Sequence, residues 1–258
     1  MTSPDLGGLT DVGLVLLLAF AGFCAGLVDS IAGGGGLITV PALFATGLPV
    51  PLALATNKGQ ASFGAVSSFL SFWKRGEIDK PRALRGFIGG FVGSLAGALL
   101  LLRVPSKPLK PISLVLLVLA AGTLLWPRKA GDGKGRTWAM AALLPIALAL
   151  GFYDGFFGPG VGSMLIATWA LVFGDTLTRA SGNAKVVNLA SNLAALLVFV
   201  VKGAVLWKIA APMAIANATG ALVGARLAVK RGDRFVKTVV LGVVTLLVLK
   251  MAYELVFA

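Results

Sequence analysis

Apolar residues in this chain gather into charge-free runs rather than alternating with polar ones. Five of these runs, 12–28, 86–102, 111–127, 137–153 and 209–225, are 17 residues each. With a flanking residue or two, a helix of that length crosses a hydrocarbon core of about 30 Å. A sixth run, 238–249, is shorter and is expected to continue past Lys250. The first eleven residues carry two aspartates and no Lys or Arg, unlike the basic start of a secretory signal. The pattern predicts an all-α, polytopic membrane protein lodged in a lipid bilayer.

Two further stretches are free of charge but cannot be continuous helices. Residues 30–57 contain four consecutive glycines, Gly33, Gly34, Gly35 and Gly36, and then Pro41, Pro49 and Pro51. Residues 155–174 are broken at Gly158, Pro159, Gly160 and Gly162. Unpaired backbone at membrane depth survives only inside protein or beside a watery cavity. Both stretches therefore read as discontinuous helices.

The two breaks belong to an internal repeat. Gly26, Asp29, Gly33 and Gly35 match Gly151, Asp154, Gly158 and Gly160 at an offset of 125. After a two-residue insertion, Lys58, Gly76, Gly93 and Gly97 match Lys185, Gly203, Gly220 and Gly224 at an offset of 127. The chain divides into a first membrane repeat, 1–127, a polar linker, 128–136, and a second membrane repeat, 137–258. Each repeat is expected to hold about five helical elements, one of them short and starting at its glycine break.

Composition agrees with the membrane assignment and narrows the chemistry. Hydrophobic residues make up 57% and charged residues 13%, with a mean hydropathy of +0.93. That leaves too little polar surface to cover a water-soluble domain. Histidine is absent and Cys24 is the single cysteine, which removes imidazole bases, imidazole metal sites and an intrachain disulfide. No cofactor is implied, and no Gly-x-x-x-x-Gly-Lys-Ser/Thr loop binds a nucleotide. The net charge of +13 suits membrane topology rather than nucleic acid. An inverted second half places fifteen cations on the cytoplasmic side and six outside, against twelve and nine for a parallel one. The positive-inside rule thus favours two inverted repeats with both termini periplasmic.

Lys58 and Lys185 are the most informative charges. The apolar residues after each, 59–73 and 186–201, span only about 22–24 Å of helix, so each helix must start earlier and carry its lysine into the membrane. One reading is snorkelling to the interface; the sharper one is a pair of cations in a cavity that attract an anion. Asp29 and Asp154 stand beside the breaks, where a carboxylate could pair with the lysine of either half, cap a half-helix or exchange a proton. A half-helix starting after Gly36 or Gly162 aims a positive dipole end inward, and two such ends favour a small anion between them. Gly93, Gly97, Gly220 and Gly224 fit close helix packing better. Asn57 and Gln60 flank Lys58, while Asn183, Asn188 and Asn192 surround Lys185. Such amides either donate to an oxyanion or bond between helices.

These residues resemble a known family. The run from Val28 to Leu37, then Ala55-Thr56-Asn57-Lys58, the run from Gly151 to Gly160 and the run from Ala184 to Asn192 are similar to the sulfite exporter TauE/SafE family, most closely its YfcA-like branch. The resemblance covers nearly the whole chain. It implies a bacterial-type inner-membrane permease for sulfur-containing anions such as sulfite, sulfoacetate or other organosulfonates. The leading expectation is a secondary transporter holding its anion between the repeats, at the glycine breaks and lysines, with Asp29 and Asp154 able to couple protons. A passive anion channel is the alternative. A membrane enzyme has little to work with, lacking histidine and a reactive cysteine setting.

Overall fold

The apolar runs are helices, and both glycine-rich stretches interrupt them. The structure, a computed structural model, describes residues 11–125 and 139–257. The linker expected at 128–136 lies outside the described residues. In the first half, α1 (Val12–Ala32), the short α2 (Gly36–Ala45), α3 (Val50–Lys74), α4 (Lys80–Arg103) and α5 (Ser106–Leu125) follow in order. In the second, α6 (Met140–Phe156), the short α7 (Val161–Leu171), α8 (Leu177–Val201) and α9 (Trp207–Phe257) follow. Gly232, at φ 68° and ψ −165°, breaks α9 into two arms. Counted that way, each half has five helical stretches among the described residues.

Local chemistry sets several of the boundaries. The Asp11 carboxylate accepts from Gly13 N at the start of α1, and the Asp79 and Thr176 side chains cap α4 and α8. Gly33 ends α1 in the left-handed region, φ 76°, which a side chain rarely adopts. Among the described residues, four helices are long and apolar enough to cross a membrane: α1, α4, α8 and the first arm of α9, Trp207–Gly232. Their outward faces carry large exposed apolar side chains, including Leu16, Phe20, Leu84, Leu197 and Ile215. Such faces suit lipid, and this is a multi-pass membrane protein.

The helices of one half pack on those of the other. α4 lies against α6, and the first arm of α9 lies against α1. Glycine makes both approaches possible. A Cβ at Gly93 or Gly97 would collide with the carbonyl oxygen of Leu148 or Phe152 on α6. One at Gly220 or Gly224 would collide with that of Phe23 or Leu27 on α1. The packing role expected for these glycines is therefore what they do, and the contacts are reciprocal. Leu148 and Phe152 stand 125 residues after Phe23 and Leu27, just as Gly220 and Gly224 stand 127 after Gly93 and Gly97. At the centre, α3 and α8 run beside each other, flanked by α9 and α4. Phe72, Trp169, Phe173 and Phe199 fill the core around them.

Because these crossings are backbone-close, adding the three carbons of an isopropyl group should force them apart at a cost of about 1–3 kcal/mol. Gly97→Val and Gly224→Val should each lower the melting temperature of the detergent-solubilised protein. Gly122→Ala, where a Cβ meets nothing within 4 Å, should not.

Candidate functional site

Lys58 is the ninth residue of α3 and Lys185 the ninth of α8, so each enters about 12 Å beyond its helix start. Both helices begin before their lysine, as the short apolar stretches after them require. Neither lysine reaches an interface: both are buried. Each meets the carboxylate of the opposite half. Lys58 Nζ donates to Asp154 Oδ1 at 2.6 Å. Lys185 Nζ donates to Asp29 Oδ2 at 2.7 Å and to the Asp29 carbonyl oxygen at 2.6 Å. The Ser191 hydroxyl donates to the second oxygen of Asp154. Two ammonium groups and two carboxylates thus cancel in charge. The pairs differ in access, since Asp29 keeps 25% of its side chain exposed and the other three 4% or less.

Beside these pairs the two glycine breaks meet. A Cβ at Gly162 would stand 2.7 Å from Gly33 Cα, and the Ser163 hydroxyl donates to Gly33 O at 3.1 Å. Gly36 faces Pro159, which a Cβ would approach to 3.0 Å. Gly158 and Gly160 hold φ of 99° and 83°, so the second break depends on glycine at both positions. α2 begins at Gly36 and α7 at Val161, and both residues line one cavity of about 40 Å³. At roughly 10–15 Å³ per water, it holds about three waters or a small polyatomic ion. The first N–H groups of a helix have no intrahelical partner and carry its positive dipole end, so two such ends border this space.

The cavity gathers most of the candidate residues. Asp29, Gly33, Gly35, Gly36, Asn57, Lys58 and Gln60 line it from the first half, and Asp154, Gly158, Gly160, Gly162, Asn188 and Asn192 from the second. Gly34 and Lys185 do not line it; Lys185 reaches it only through Asp29. Asn183 stands elsewhere, in a cluster that ties the α3–α4 loop to the α7–α8 loop. It accepts from Asp79 N at 2.7 Å and donates to Asp175 Oδ2 at 2.7 Å. Arg82 joins the same cluster, 2.8 Å from Asp175 and 2.9 Å from Asp79, with its guanidinium over the Phe173 ring. At the matching place in the repeat, Leu206 N donates to Thr56 Oγ1 at 3.2 Å, an uncharged counterpart. Proximity to Lys185 in sequence drew attention to Asn183, but the two point apart on α8.

Asn217 also lines the cavity and was not among the sequence candidates. Its signal was faint: a lone amide inside the run 209–225, opposite Gly90 in the repeat. Asn217 Nδ2 donates to Gly22 O at 3.1 Å, and Gly64 leaves room for its side chain. Asn57 Oδ1 accepts from Thr39 Oγ1 at 2.6 Å and from Gln60 Nε2 at 2.9 Å. Asn192 Nδ2 donates to Asn188 O at 2.7 Å. Among the described residues, no three His, Cys, Asp or Glu stand together as metal ligands.

The profile of the family described as Sulfite exporter TauE/SafE matches residues 18–251. A probable membrane transporter protein of Haemophilus influenzae is 38% identical over 249 residues, 95% of this chain and 97% of that one. The probable membrane transporter protein YfcA of Escherichia coli K12 is 36% identical over 257 residues, 98% and 92% of the two chains. A probable membrane transporter protein of a Sinorhizobium species is 38% identical over 226 residues, 87% of each chain. No solved structure matches at a significant level.

Asn183 offers a control on where the cavity ends. Asn183→Ala leaves the Asp79 N–H and an Asp175 oxygen without their partner, at about 1–3 kcal/mol. Thermal melting should fall accordingly, while transport by the protein reconstituted in vesicles should stay that of the parent.

Proposed function

Because the chain belongs to the sulfite exporter TauE/SafE family, a family of membrane transporters, we propose that it is a secondary permease for small, sulfur-containing oxyanions such as sulfite or organosulfonates. The anion binds in the cavity where the two glycine breaks meet, between halves 1–127 and 137–258 arranged as inverted copies. The reciprocal contacts support a two-fold relation between the halves, since each lysine pairs across them and each packing glycine meets the same counterpart carbonyl; the cation distribution favours inversion over a parallel arrangement. The cation distribution then favours both termini on the periplasmic side of a bacterial inner membrane.

The observation that carries the reading is the crossed, neutral pair of salt bridges at the cavity wall. Charges taken out of water are tolerable only while paired. With no anion present, Asp154 is the counter-ion of Lys58. An arriving oxyanion competes for that ammonium group, and the freed carboxylate can stay in the low-dielectric interior only by taking a proton. The proton moves from water to a carboxylate oxygen, and the anion replaces that carboxylate beside the ammonium. Anion occupancy and protonation are thereby linked, which is the requirement for coupling to a pH gradient. Asp29, the more accessible carboxylate, is the corresponding counter-ion of Lys185.

Two measurements test this in reconstituted vesicles. Lys58→Gln should weaken sulfite binding at least about tenfold, the loss of a charge-assisted hydrogen bond, and Lys185→Gln less, since Lys185 acts only through Asp29, whereas Lys202→Gln on the exposed α8 terminus should not. Asp154→Asn should bind sulfite more tightly, because Lys58 loses its competitor, yet fail to accumulate it against a pH gradient. Accumulation by Asp154→Asn equal to the parent would assign the carboxylate a structural role and favour passive conduction.

A further inference from the structure

The cavity's charged frame follows the repeat, but its amides do not. Lys58 and Lys185 correspond, as do Asp29 and Asp154. At the offset of 127, however, Asn57 and Gln60 stand opposite Ala184 and Val187, while Asn188, Asn192 and Asn217 stand opposite Ala61, Ala65 and Gly90. Both halves contribute amides, but at positions the repeat does not match. An asymmetric wall on a duplicated frame can orient a ligand with two different ends, which the frame alone cannot do.

Two of these amides hold an unused acceptor. Gln60 Oε1 and Asn192 Oδ1 are buried and have no hydrogen-bond partner, and both residues line the cavity. The residues are 1% and 3% exposed, so only what occupies the cavity, water or ligand, can reach them, and a ligand that displaces the water must bring its own donor. Their orientation is set by their nitrogens, which donate to Asn57 Oδ1 and to the Asn188 carbonyl oxygen. Turning either amide over would set oxygen against oxygen. A buried acceptor without a donor is costly, and such atoms are few in native proteins. A bare oxyanion cannot relieve them, since it brings only acceptors. A hard cation asks for six or so oxygens. Of the neighbouring carboxylate oxygens, Asp154 Oδ1 and Asp29 Oδ2 are already held by lysine.

We infer that the ligand of this site is a small oxyanion that also bears an N–H or O–H donor, received by Gln60 Oε1 and Asn192 Oδ1. The inference rests on the anion-permease reading and adds the second end of the substrate. The lysine frame takes the anionic oxygens, and the two amides select for a hydrogen-bearing group beside them. A site built to receive a donor discriminates strongly against an isostere that lacks one, because its own polar atoms are then left unpaired.

Sulfamate and methanesulfonate provide the test. They share charge and shape and differ in carrying an amino or a methyl group on sulfur. Calorimetry on the purified full-length protein should show sulfamate binding at least about tenfold more tightly. Gln60→Met combined with Asn192→Leu should close that gap. Equal affinities of the parent for both anions would overturn the inference while leaving the anion site standing. A preference that survives in the double variant would overturn it too. Binding that requires sodium in the parent and loses the requirement in the double variant would assign the oxygens to a cation instead. Should neither anion bind, the permease reading fails, and the inference with it.

Discussion

Four charges inside an apolar bundle set the terms for everything else in this protein. Moving an ammonium or a carboxylate out of water costs several kcal/mol per ion, recovered only with a partner at short range. Neither half can hold its lysine with its own aspartate: Lys58 depends on Asp154 and Lys185 on Asp29. The crossed pairing makes the centre of the molecule a joint between halves. The glycine contacts of α4 on α6 and of α9 on α1 bring the backbones close enough for those pairs to form.

The same geometry prepares the cavity. The helix breaks put α2 and α7 N-termini against one small space, and the paired charges stand at its wall without filling it. A site with net positive charge would be costly in lipid; here the four charges cancel. On the proposed reading, occupancy by an anion and protonation of a carboxylate are two sides of one exchange. The amides of the wall, unlike its charges, do not follow the repeat.

Much of this was legible in the sequence, for reasons that can be named. Charge-free runs of fixed length mark helices because lipid allows no other use of them, and α1, α4 and the first arm of α9 follow accordingly. The breaks were legible because four consecutive glycines exceed what packing needs, and the depth of Lys58 and Lys185 because the apolar residues after them are too few. Which carboxylate each lysine takes was not legible, since sequence spacing says nothing of how two halves dock. Asn183 was misjudged for a related reason. It lies two residues before Lys185, but neighbours at that spacing point apart on a helix, and it serves the Arg82–Asp175 cluster. Asn217 escaped because the repeat, the strongest guide elsewhere, has glycine at the matching place.

The central claim is that the crossed ion pairs couple the two halves, and a double-mutant cycle on Lys58 and Asp154 measures that coupling directly. Lys58→Met and Asp154→Leu should each lower unfolding free energy by about 3–5 kcal/mol, because each strands a buried charge. The double variant, with the pair replaced by apolar side chains, should return close to the parent, giving an interaction energy of about 6 kcal/mol or more. Strictly additive losses would mean that the two residues do not sense each other, and would contradict the account.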